Sequence, residues 1–356
     1  MSKTGSRISH FANILLILIV PHLLWISMIP SLFFGFWNIA TPVILVFVIT
    51  PILDIFSSPS RKVPHENQLG VTTTAFLKIS PLLYVLCFST LFVFQIYMAI
   101  QLDAWNFVVS AVSFSVMGTI LIAAAHELIH KRQRVSRVAG EFVFVMFGYW
   151  HFPLAHIHNH HALVATDADN HAPGKGQNFW RYMMEAYPKA VSFSYRLLKQ
   201  RQSKGQISSA RFTCLLTAYL CTPIVLATVA FSFAGPIGLI FYVSVAIFSL
   251  LFAEAVFYIQ HYNVKRRRDE RIAAHHSWDS DHRFSNYLTF MVQRHGDHHL
   301  KWGRDYYLLR AHQNSLYLPL GYPLMLVLAL IPPVFFKVMD PRAEALSDTE
   351  EQLSQT

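Results

Sequence analysis

Residues 107–132 read FVVSAVSFSVMGTILIAAAHELIHKR. The segment 107–125 carries no charged side chain and approaches the roughly 20 apolar residues that a bilayer-crossing helix needs. It then runs without a break into His126 and His130. These are four positions apart, so on a continuing helix they share one face about one turn from each other. A spanning helix that emerges into a pair of imidazoles sets the expectation for the whole chain. The apolar part is membrane, and the chemistry sits where the helices leave it.

Composition agrees. Of 356 residues, 53% are hydrophobic and only 14% charged, against about a quarter charged in ordinary soluble domains. Six apolar runs reach spanning length, at about 11–29, 32–53, 79–102, 107–125, 214–235 and 237–259. The first is too long for a cleaved signal and is read as a retained anchor. A seventh run, 316–336, is interrupted by Pro319, Pro323, Pro332 and Pro333 and is read as a re-entrant or interfacial piece. The fold class expected is an all-α integral membrane protein, six transmembrane helices under a cytoplasmic histidine-rich helical cap.

The runs pair into hairpins with turns near Pro30, Asp103 and Pro236, and none of these turns contains Lys or Arg. Lys3, Arg7, Arg61, Lys62, the region from Lys131 to Arg211 and everything after Lys265 lie on the other side. The positive-inside rule makes that side cytoplasmic, with both termini there. The net charge of +9 is then mostly topology, which argues against a nucleic-acid role. Residues 1–342 form one integral domain, with catalytic insertions at 126–211 and 261–317 and a polar, disordered tail at 343–356. The three cysteines, Cys87, Cys214 and Cys221, make no CxxC pair. They exclude a disulfide framework or a fused rubredoxin-type iron site.

Sixteen of the 19 histidines fall between His126 and His312. After HELIHKR comes AHIHNHH, where His156 and His160 are again i, i+4 and His161 is adjacent, while His158 faces away. QHYNVKRRR brings His261 off the end of the sixth run. In QRHGDHH, His295, His298 and His299 can face one point from a single helix. Nine imidazoles exceed the coordination of one metal ion, so two ions are the simplest reading, and imidazole alone does not choose among Fe, Zn, Cu and Ni. HELIH also fits the HExxH zinc-protease pattern, but such a site leaves the other seven histidines without a purpose. His22, alone in an apolar span, reads as a satisfied core histidine, and His10, His65, His171 and His312 read as surface residues.

Carboxylates near these groups are expected to orient the imidazoles through their second ring nitrogen. Glu127, Asp167, Asp169, Glu254, Asp279, Asp281 and Asp297 are the candidates, and His275, His276 and His282 are expected outside the ligand set. Glu254 stands out, because a carboxylate within a span is costly. Glu254 and Asp297 are taken as the candidate catalytic residues.

At HELIHK, HIHNHH, QHY, HHSWDSDH, QRHGDHH and LPLGYP, from about Pro51 to Arg342, the chain resembles the membrane-bound alkane monooxygenase family. That family is related to the xylene monooxygenase hydroxylase subunits and the histidine-rich membrane fatty-acyl desaturases. The resemblance implies two non-haem Fe ions held by His126, His130, His156, His160, His161, His261, His295, His298 and His299. It implies hydroxylation of a terminal methyl group by O2, with electrons from rubredoxin and its NADH-dependent reductase, in the bacterial inner membrane. The chain departs from the alkane type at Ala155, Phe257 and Asn263, and at Ala155 and Glu254 it is more like the ring-methyl hydroxylases. A ring-methyl hydroxylase and a desaturase are therefore the alternatives within this chemistry. A histidine-relay metal transporter is the alternative from another class, but its polar groups belong near the bilayer midplane.

Overall fold

The computed structural model describes residues 12–31, 38–59, 61 and 69–354. Lys3, Arg7, Lys62, His10, His65 and part of the second expected span lie outside the described residues. The described chain is almost entirely helical, with one two-stranded sheet.

The long apolar runs become α3 (Val71–Met98), α4 (Ala104–Ile129) and α8 (Ser209–His261). Polar side chains fix their starts. Asp103 accepts from the backbone N–H of Asn106 at 2.8 Å, and Ser208 from that of Arg211 at 3.1 Å, which satisfies donors that a helix N-terminus leaves unpaired. α8 is two helices in one. Its backbone leaves helical geometry at Ala234 and at Gly235, whose φ is 57°, a conformation glycine adopts without steric cost. Pro236 follows and contributes no N–H. Three described helices are long and apolar enough to cross a bilayer, and the protein is an all-α membrane protein.

The first two expected spans appear as shorter apolar helices, α1 (Ala12–Ile26) and α2 (Thr41–Phe56). The middle of α2, Leu45–Ile49, is a wide π turn. The seventh apolar run divides into α11 (Tyr322–Ala329) and a last helix, α12 (Pro332–Ser354). The pair bends by 118° at the break.

Close packing comes from small residues, as in other membrane helix pairs. A Cβ on Gly118 of α4 would collide with Ser249 of α8, and the Ser249 hydroxyl donates to the Ser115 carbonyl at 3.2 Å. His22 is a satisfied core residue. Trp25 donates to its Nδ1 at 2.8 Å, and its Nε2 lies 2.8 Å from the Ser80 hydroxyl.

The polar insertions contribute α5 (Arg134–Met146), a helical segment 152–163 that we call α6, and α7 (Phe179–Ser203) from the first. From the second come α9 (Arg283–Leu288) and α10 (His295–Leu300). A short parallel pairing of β1 (Trp278–Asp279) with β2 (Leu316–Tyr317) closes the second insertion. Buried Asp54 of α2 ties that insertion to the helices below. Its carboxylate accepts from the backbone N–H groups of Phe284 and Ser285, at 2.6 and 3.2 Å, at the start of α9. Asp54→Ala would leave buried donors unpaired and is expected to cost about 1–2 kcal/mol. Thermal unfolding in detergent should show a midpoint a few degrees lower, with Asp54→Asn intermediate.

Candidate metal centre

All nine histidines converge. They are buried and form two groups whose potential ligand atoms lie within 4.8 Å of one another. The first contains His126, His130, His156, His161 and His298, and the second His160, His261, His295 and His299. Within the first, Nε2–Nε2 separations are 2.8 Å for His126 and His156, 3.2 Å for His130 and His156, 2.9 Å for His156 and His161, and 3.1 Å for His161 and His298. In the second, His295 Nε2 lies 3.0 Å from His261 Nε2 and 2.9 Å from His299 Nε2.

The division between groups departs from simple helical spacing. His126 and His130 stay together, as i, i+4 neighbours on a regular helix do. In α6, however, His156–His160 is a π turn. One extra residue in the turn brings His161, not His160, back beside His156, and His160 swings to the second group. On α10, His295 and His299 stay together while His298 turns to the first group. α6 and α10 each supply both groups, so the two sites are built on shared rigid elements. A Cβ on Gly296 would collide with the backbone carbonyl of Ala274, so glycine is what lets α10 approach this closely.

These residues fit metal ions. Imidazole–metal bonds are about 2.1 Å long, so neighbouring donors around one ion stand about 3 Å apart, as the Nε2 atoms do here. His156 Nε2 faces the Nε2 atoms of His126, His130 and His161 at once, and a neutral ring nitrogen, with one hydrogen or one lone pair, satisfies only one of the three. His160 shows the point most directly. Its Nδ1 faces both oxygens of Asp169 at 3.0 Å, while its Nε2, aimed into the second group, is buried with no hydrogen-bond partner. Burial, reinforced by the other imidazoles, pushes His130, His156, His161, His295, His298 and His299 well below the ordinary histidine value. They are neutral, as ligands must be.

Among the carboxylate candidates, Asp169 is the one that meets a ligand. Burial opposes its charge, but the facing His160 outweighs this and holds it below the usual carboxylate value. It also accepts from the backbone N–H groups of Ala165 and His171, at 3.1 and 2.9 Å. Ala165 has a φ of 62°, an unusual conformation for alanine that tightens the loop around this carboxylate. His171, expected at the surface, is buried, its ring centroid 5.4 Å from that of His160.

The other carboxylates hold the frame. Asp279 accepts from Gly296 N–H at 2.6 Å, and burial raises it to about 7. Glu127 accepts from Tyr306 N–H at 3.0 Å and pairs with Lys131. Asp281 pairs with Arg61 at 2.8 Å, and Asp167 is exposed. Asp297 accepts from Arg304, from Arg310 N–H at 3.0 Å and from His312 Nε2 at 2.7 Å, so its oxygens are engaged away from the imidazoles. Glu254 accepts from the Tyr149 hydroxyl and belongs to neither ligand group. Glu254 and Asp297, the carboxylates expected to be catalytic, thus stand outside the two histidine groups. His158 contacts Arg201, His276 contacts Glu270, and His282 contacts Ser280, all outside the two groups.

Beneath the first group lies an apolar cavity between α2, α4, α8 and α11. Val46, Ile120, Phe252 and Leu326 line it, and His126 and Phe257 close the end towards the histidines. Gln260, whose Nε2 donates to the Tyr322 hydroxyl at 2.8 Å, adds a small polar patch to the wall. The sequence marks Phe257 only as a departure from the alkane type and singles out neither Gln260 nor Tyr322, because a cavity exists only once the helices are packed.

The sequence model of the fatty acid desaturase family matches residues 103–324, a segment that holds every one of the nine histidines. The chain is 31% identical to alkane 1-monooxygenase 1 of Pseudomonas aeruginosa, over 97% of this chain and 93% of that protein. The chain belongs to the membrane-bound alkane monooxygenase family. An alkane 1-monooxygenase of Pseudomonas putida is 30% identical over 86% of this chain and 79% of its own length. The hydroxylase component of a xylene/toluene monooxygenase from the same species is 25% identical over 62% and 60%. By its family this chain is an oxygen-dependent oxidoreductase.

Two outcomes follow. Asp169→Ala should lower metal content by about 10- to 100-fold in affinity, as loss of a partner behind a ligating histidine does, whereas Asp167→Ala should leave it unchanged. Metal analysis of the purified variants reads this out. The depressed imidazoles bind fewer protons when folded than when unfolded, so acidification favours the unfolded or metal-free form. The effect starts as pH falls through the unfolded histidine value near about 6.5 and grows below it. Bound metal after desalting at pH 8, 6.5 and 5 should fall in that order.

Proposed function

We propose that the protein is a membrane-bound non-haem di-iron monooxygenase that converts the terminal methyl group of an alkane or alkyl chain to a primary alcohol. The observation that carries this reading is the pairing of two all-imidazole groups with an apolar cavity ending at His126. The proposed setting is a bacterial inner membrane with both termini cytoplasmic. Six crossings are formed by α1, α2, α3, α4 and the two halves of α8, a count supported by the break at Gly235.

An alkane has no polar handle, so it must be selected by shape in a dry slot. Leu, Ile, Val and Phe side chains provide that slot, and their inertness protects the wall from the oxidant. Selection of chain length is weak, since one methylene changes the interaction by about 1–3 kcal/mol. Phe257, with its ring centroid 5.1 Å from that of Phe152 and 6.1 Å from that of His156, supports the closed end and excludes water beside the reacting carbon.

The nine histidines would hold the two irons, which when bound would supply activation of O2. The overall balance is RH + O2 + 2 electrons + 2 H⁺ giving ROH + H2O. Rubredoxin, itself reduced by an NADH-dependent reductase, is the proposed electron source. The exposed basic residues Arg132, Arg134, Lys265, Arg267 and Arg268 suit an acidic carrier by electrostatic steering.

The test is expression with a rubredoxin system and a mixed feed of n-alkanes and toluenes. Primary alkanols as the main products, and iron lost together with activity in His298→Ala, are the outcomes expected. Benzylic alcohols alone would reassign the substrate class, and an alkene product would reassign the reaction.

A further inference from the structure

Trp302 is a large side chain whose placement the reactions above leave unexplained. It follows directly on α10 and is 50% exposed, although burying an indole of this size is normally favourable. Its inner edge packs against the metal site. The ring centroid is 5.7 Å from that of His130 and 6.4 Å from that of His161, within aromatic contact range. Both histidines belong to the first group. A single side chain therefore reaches from the water-facing surface to two ligand rings.

The surroundings are positively charged. Lys301 is the preceding residue and is exposed, and Arg132 follows His130 by two positions and is exposed as well. Nearby acids are already engaged. Asp297 holds Arg304, and Asp305 and Glu127 hold Lys131. Exposed Lys301 adjoins Trp302 in the chain, and exposed Arg132 lies two residues beyond His130, whose ring Trp302 packs against. Tryptophan within a charged rim is the usual composition of an interface hot spot.

We propose that Trp302 is the docking anchor and electron port for the reduced carrier, a small acidic protein with a one-electron iron centre. This rests on the hydroxylase reading above and deepens it. The carrier seats its negative face on Lys301 and Arg132 and covers the indole. It gives up one electron through the ring towards the imidazole edges of His130 and His161, which would hold the metal ion that takes the electron up. Two such encounters supply the two electrons of the overall balance. The indole is a bridge and is neither oxidised nor reduced at the end of the step.

The test uses the full-length, iron-loaded protein in detergent or nanodiscs with purified rubredoxin. Trp302→Ala should weaken the Kd for rubredoxin about thirtyfold, as truncating a hot-spot tryptophan does, and slow oxidation of reduced rubredoxin by about tenfold or more. Iron per chain should stay at the wild-type level. Trp302→Phe should recover most of both readouts, and Lys301→Glu should weaken binding mainly at low salt. Wild-type Kd and wild-type rubredoxin oxidation in Trp302→Ala would overturn the proposal. Loss of iron in that variant would overturn it too, by making the ring part of the packing of the ligands. Failure of the hydroxylase reading looks different, because it is seen in the unaltered protein, as absence of alcohol product with every reductant supplied.

Discussion

Nine imidazoles held in a buried volume, with six pairs of their Nε2 atoms 2.8–3.2 Å apart, are not stable company for one another. Each is buried, and seven of the nine keep a ring nitrogen with no hydrogen-bond partner. A cation at the centre of each group would relieve this, and the surrounding fold holds the rings in place. Asp54 pins the start of α9, Asp279 pins the start of α10, and Asp297 ties α10 to Arg304, Arg310 and His312. The carboxylates of the insertions act mainly on backbone and basic groups, so the two groups are all imidazole.

That division of labour explains which parts were legible in the sequence. The long apolar runs and their polar starts could be read because spanning length and helix capping are local properties. The convergence of the nine histidines could be read because histidine recurs at helical spacing near the ends of the apolar runs. Their sorting into five and four could not. It depends on the π turn at His156–His160, which moves one histidine from one group to the other without altering the residue pattern. The hydrogen-bond partners of Glu254 and Asp297 were hidden for a related reason. Their partners, Tyr149 at a separation of 105 residues and His312 at 15, come from parts of the chain that meet only in three dimensions.

The burial of His171 has the same origin. A histidine in a polar segment looks solvated when read alone, but the loop from Ala165 to His171 folds back on His160 so that Asp169 can reach Nδ1. Closing that loop puts Ala165 in a left-handed conformation and takes His171 out of water. The cost of both is offset by a single well-aligned carboxylate behind a ligand, the arrangement that sets which ring nitrogen faces inward.

Geometry also separates the two supplies that a hydroxylase of this kind needs. His126 lines the apolar cavity, and His130 packs against Trp302. They lie one helical turn apart on α4, about 5.4 Å along its axis, and both belong to the first group. On the proposed reading an alkyl chain approaches that group from the lipid side and an electron from the aqueous side, through opposite ends of the same turn. Neither path crosses the other. The cavity can remain dry while the surface stays open to a charged protein, which a site at the bilayer midplane could not offer. The boundary between membrane and cytosol is therefore the position at which an apolar substrate and a soluble reductant can both reach one centre.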